Sequence, residues 1–167
     1  QWPFPHVGSA AFARARAHLV MKNGTAAESD LQSALALTSD KRLRTSILVQ
    51  LGHNSETNLK DDNAALSAYR QNFVGKERIG GAEEFRSIQQ AARILSRQGK
   101  HDDALQTLAR IDAAKQTGSW GATTYAIQGE LLTAAGRKSE ARGAYQKALA
   151  KPGLSKAWSE AIEKKIR

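Results

Sequence analysis

The strongest constraint on this chain is that it repeats itself at a nearly fixed spacing. Laid over one another, SRQGKHDDALQTLARI (96–111) and TAAGRKSEARGAYQKA (133–148) bring Gly99 onto Gly136, Ala104 onto Ala141, Leu108 onto Tyr145 and Ile111 onto Ala148, each pair 37 residues apart. Ala65 and Tyr69, in DDNAALSAYRQN (61–72), precede Ala104 and Leu108 by 39 residues. Ala27 and Leu31, in GTAAESDLQSALAL (24–37), precede Ala65 and Tyr69 by 38. A unit this short cannot bury its own apolar face, so units must stack and share a core.

Each unit reads as helical. No stretch alternates apolar and polar residues over a useful length, and β-branched residues are sparse. Phe85, Ile88, Ala92 and Leu95 fall on one helical face, as do Ala104, Leu108 and Ile111. Gly99 and Gly136 each follow such a run, where a left-handed turn ends a helix. Thr25 with Glu28 reads as a capping box, and Asp40 and Asp61-Asp62 stand before apolar runs. The spacing predicts helices at about 9–23, 25–38, 40–59, 62–73, 82–98, 102–115, 120–135 and 138–151. A ninth, 154–166, carries Leu154, Ala157, Trp158, Ala161, Ile162 and Ile166 on one stripe.

At these positions the chain resembles the tetratricopeptide repeat family. The segment 122–153 carries the pattern best, with Tyr125, Gly129, Leu132, Gly136, Ala141, Tyr145, Ala148 and Pro152. Gly129, Ala141 and Ala148 would sit where helices cross closely, with Leu132 and Tyr145 filling the adjacent space. The segment 85–115 keeps Ala92, Leu95, Gly99, Ala104 and Leu108; the segment 11–38 keeps Ala15, Leu19, Ala27, Leu31 and Ala34. The segment 43–73 keeps Leu51-Gly52, Ala65 and Tyr69, needs a one-residue adjustment, and has Ser55 where a large residue is expected. The expected architecture is all-α: four helix pairs at about 9–38, 40–73, 82–115 and 120–153, then a capping helix over 154–167 that covers the last core face. The resemblance implies a right-handed solenoid.

Trp2-Pro3-Phe4-Pro5 cannot be helical, so residues 1–8 are expected to be extended. That segment could pack on the first pair, be the tail of an upstream linker, or dock into another copy. The start at Gln1 rather than Met suggests a piece of a longer protein or a mature form. No run approaches the ~18–20 apolar residues of a membrane-spanning helix.

No catalytic constellation is legible. The chain has no cysteine, which removes disulfides, thiolate metal sites and Cys nucleophiles. His6, His18, His53 and His101 are scattered, without a second ligand at helical spacing. His101-Asp102-Asp103 reads as a helix start rather than a metal cluster. Gly80-Gly81 reads as a loop hinge, because no Lys-Ser/Thr follows it as in a phosphate-binding loop. No cofactor and no metal are expected, and no enzyme activity.

What remains is surface. The net charge is +9, and residues 121–167 carry nine Lys/Arg against four Asp/Glu. At ~100° per residue, Arg86, Arg93 and Arg97 share one face of the helix 82–98, with Gln90 at its edge. The resemblance implies that this face of each first helix lines a concave groove. The comparable positions are His53, with Gln50 and Thr57, and then Thr123, Ile127, Glu130 and Ala134. Such a groove is basic and polar in its middle, with an apolar spot at Ile127. It suits a protein or peptide partner with acidic groups or a free carboxylate, which guanidinium groups bind bidentately. Two other classes stay open. One is binding of nucleic acid or an anionic polysaccharide through the basic surface, against which aromatics are few and not interleaved with cations. The other is a non-catalytic appendage of an enzyme.

Overall fold

The computed structural model describes residues 7–74 and 81–167. Of the segment 1–8 expected to be extended, Val7 and Gly8 instead begin the first helix; residues 1–6, His6 among them, and Gly80 of the hinge lie outside the described residues. The elements are α1 (Val7–Val20), α2 (Gly24–Leu37), α3 (Lys41–Asn54) with a π-turn (Ser55–Leu59), α4 (Asp62–Arg70), α5 (Ala82–Arg97), α6 (His101–Leu108), α7 (Ser119–Ala134), α8 (Lys138–Ala150) and α9 (Lys156–Ile166). Among the described residues there is no strand: the fold is an all-α helical repeat. It comprises two compact units, Gln1–Ser87 and Ile88–Arg167.

The repeat is visible in the backbone. Lys22, Lys60, Gly99 and Gly136 all adopt left-handed φ, at 56°, 58°, 76° and 74°. Their spacings of 38, 39 and 37 residues are those of the sequence repeat. Each follows the first helix of a pair and turns the chain into the second. At two of the four turns lysine bears the strain that glycine avoids.

In the first unit α1 packs on α2, α2 on α3 and α3 on α4. Ala15, Leu31, Ala34, Ile47, Leu48, Leu51 and Ala68 form the core, flanked by Phe12 and Leu43. Burying each large aliphatic there contributes about 1.5–3 kcal/mol. Asp40 and Asp61 cap α3 and α4, each carboxylate accepting two backbone N–H bonds. The cap of α2 differs from expectation: Asn23, not Thr25, accepts from the Ala26 N–H. The helix starts earlier because Gly24 is buried, pressed against Asn58 and Leu59 of the π-turn. There the Asn54 amide, fully buried, donates to the Gly24 carbonyl at 2.8 Å and accepts from Asn58 at 2.9 Å.

That π-turn is the one-residue adjustment the second repeat needed. Gly52 lies 17 residues before Tyr69, whereas Gly129 lies 16 before Tyr145. The left-handed turn precedes the tyrosine by nine residues in both repeats, at Lys60 and at Gly136. The surplus therefore falls between Gly52 and Lys60, where i→i+5 bonding takes up an added residue.

In the second unit α6 packs on α7, α7 on α8, and α8 on α9. Its core gathers Ala126, Leu132, Ala141, Ala144, Tyr145, Ala148 and Ile162, with Leu154 just before α9 and Trp158 and Ile166 of α9 against it. Expected to run to residue 115, α6 instead stops at Leu108. Beyond it Ile111 and Ala113 tuck inward, 3% and 8% exposed. The loop is pinned by the Lys151 ammonium, which donates to the Ala114 and Gln116 carbonyls at 2.9 and 3.2 Å. Gly118, at φ 59° and ψ −146°, then turns the chain into α7 in a conformation open essentially to glycine.

Candidate partner-binding site

Within the second unit, α5 and α7 are joined by polar side chains on their facing sides. The buried Gln89 amide donates to the Thr124 hydroxyl at 3.1 Å, while that hydroxyl donates to the Trp120 carbonyl at 2.7 Å. One turn along, Arg93 Nη2 donates to Glu130 Oε2 at 3.1 Å. The Arg93 guanidinium also lies 5.9 Å from the centre of the Trp158 ring on α9, within cation–π range. Three helices thus converge on one arginine.

Beside this pair lies an open cavity of about 260 Å³, lined by Arg93, Ser96, Arg97, Glu130, Leu131 and Ala134. Arg97 is exposed at its rim, and Arg93 and Glu130 are half-buried. The lining brings together two guanidinium groups, a hydroxyl and the Glu130 carboxylate beside an aliphatic wall.

The candidate residues divide accordingly. Arg93, Arg97 and Glu130 border this cavity. Gln90 is half-buried on α5 beside it in sequence. Ile127 is corrected: at 1% exposure it belongs to the packed interior of α7 and offers no apolar spot to a partner. Its side chain faces inward because α7 is apolar on most of its circumference, with Ala122, Ala126, Leu131 and Leu132 also buried. Arg86 and His53 belong to the first unit, where both are exposed. Arg93 itself is half of an intramolecular ion pair.

A second cavity, of about 370 Å³, is formed by α6, α7 and the loop between them, with Leu105, Asp112, Tyr125 and Gln128 in its lining. Sequence reading missed it because residues 109–115 read as helix; Gly118 was the available cue. Its one carboxylate is engaged: a hydrogen bond from the Lys115 ammonium, with backbone N–H bonds from the same turn, holds Asp112 below the usual carboxylate range. Among the described residues no group of three metal-ligating side chains occurs, and His101 Nδ1 lies 3.4 Å from the Ser96 hydroxyl.

Residues 82–167, just over half of the chain, match the family model described as a tetratricopeptide repeat-like domain. The chain belongs to that family. No curated protein and no solved structure matches it. As a tetratricopeptide repeat-like protein it is a protein-interaction module, and among the described residues no helix is long and apolar enough to cross a membrane.

Proposed function

We propose that this tetratricopeptide repeat-like chain is non-catalytic and binds a protein or peptide partner through an acidic group seated at the Arg93–Arg97 cavity, its helices acting as four pairs plus the α9 cap. The observation that carries the reading is the cavity itself, lined by two arginines of α5 and by Leu131 and Ala134 of α7. Both helices are the first of their pairs, the ones that line the binding groove in this family. Guanidinium groups suit a carboxylate because they hold it through a planar fork.

The test is capture of partners by the immobilised chain, comparing Arg93→Glu and Arg97→Glu with a variant in which Lys164, Lys165 and Arg167 are neutralised. Loss of capture in the α5 variants with retention in the tail variant supports the cavity. The reverse pattern, with binding to generic DNA that weakens steeply as salt rises, refutes it in favour of a polyanion on the basic surface.

A further inference from the structure

Glu130 stands where the partner's acid must go. Its carboxylate is bonded to Arg93, the better buried of the cavity's two cations, and both side chains line the same 260 Å³ space. The bond runs from Nη2 to Oε2, one prong of a fork that can hold a carboxylate by two. The two partners are not equally fixed. Arg93 is held from a second side by the Trp158 ring, whereas Glu130 has 37% of its side chain exposed and can turn into solvent at little cost. Arg97 lines the same cavity and adds a second positive charge to it.

We propose that Glu130 is a built-in competitor: it occupies Arg93 in the unbound protein, and a partner's carboxylate binds by displacing it. The inference rests on the cavity reading above and adds that affinity and selectivity are set by the exchange. A weakly acidic partner, or one offering a neutral hydrogen-bonding group, cannot repay the loss of the Arg93–Glu130 pair. A carboxylate that takes both prongs of Arg93 can.

The experiment is fluorescence anisotropy of the whole chain with a labelled peptide of alternating glutamate and leucine. Partly exposed ion pairs couple by roughly 0.2–1 kcal/mol, so Glu130→Gln should bind about 1.4- to fivefold more tightly than the parent. Arg93→Gln should bind roughly tenfold more weakly or worse. In the double variant the gain from Glu130→Gln must vanish, an effect that a merely structural role for Glu130 would not produce. Glu130→Asp, which withdraws the carboxylate without removing it, should also tighten binding and serves if the amide variant folds poorly. Binding that needs Arg93 but is unchanged or weakened by both Glu130 variants overturns the competitor while leaving the cavity reading intact. Binding indifferent to Arg93, or absent in parent and Glu130 variants alike, overturns both.

Discussion

Gly129 lies against the ring of Tyr145 so closely that a methyl group on it would overlap the ring. Gly52 stands in the same relation to Tyr69, where an added Cβ would come within 2.5 Å of the ring. In the other two repeats the same register holds Ala15 with Leu31 and Ala92 with Leu108, all buried. A glycine accompanies the flat, wide side chain and an alanine the narrower one. The two positions share one volume.

That relation predicts a compensating pair. Gly129→Ala should cost about 2 kcal/mol, because the Tyr145 ring is buried and cannot swing aside, and this overpacking exceeds the ~1 kcal/mol that alanine gains in a helix. Combined with Tyr145→Leu, the loss should be smaller than the sum of the two single losses. Chemical denaturation of the four species measures the coupling, and strict additivity would exclude the shared volume.

The left-handed turns predict changes of opposite sign at equivalent positions. Gly136 has nothing within 4 Å of an added Cβ, so Gly136→Ala tests φ alone and should cost about 1 kcal/mol. Lys22→Gly and Lys60→Gly relieve the same strain and should each stabilise by up to about 1 kcal/mol. Thermal melts of the three variants decide it. A loss on placing glycine at Lys60 would mean that the lysine makes a contact worth more than the strain.

How far the sequence carried the fold can be judged from these positions. Periodicity placed the helices because apolar side chains at helical spacing have one way to be buried, and Ala27, Ala65, Ala104 and Ala141 are indeed all interior. The π-turn was visible only as a register mismatch, since the spacing shows an added residue between Gly52 and Lys60 but not how the backbone takes it up. The end of α6 was missed for a similar reason: Lys151, 37 residues on, anchors the loop that replaces its last turns. At the candidate site the arginine face could be read from α5 alone. The Glu130 and Trp158 contacts of Arg93 could not, because they are made by other helices.

Acid should loosen the clasp between α1 and α2. Arg14 Nε and Nη2 donate to Asp30 Oδ2 and Oδ1 at 2.7 and 2.6 Å, and His18 Nε2 lies 3.7 Å from the same carboxylate. The Arg14 hydrogen bonds hold the Asp30 carboxyl below its ordinary range, opposed by its partial desolvation. A depressed folded-state pKa gives stability that is complete above the unfolded value of about 4 and is lost as pH falls through the folded one. Asp30→Asn should therefore lower stability at neutral pH and flatten its dependence below about pH 4. An unchanged acid limb in that variant would remove the clasp from the account.

The last expectation separates binding from folding on α5. An arginine on a solvated face would tolerate charge reversal with a stability change within about 0.5 kcal/mol. Arg93 does not lie on such a face, since its side chain is 29% exposed and bonded to Glu130 at 3.1 Å. Arg93→Glu sets two carboxylates against each other and gives up the Trp158 contact, so it should lower stability by about 1–2 kcal/mol. Arg97→Glu, one turn further and exposed, should lower it by less than half as much while still placing a negative charge at the cavity. Arg97→Glu is accordingly the variant in which a loss of partner binding can be read without a correction for unfolding. Equal melting temperatures for the two reversals would mean that the Arg93–Glu130 pair contributes nothing to the fold.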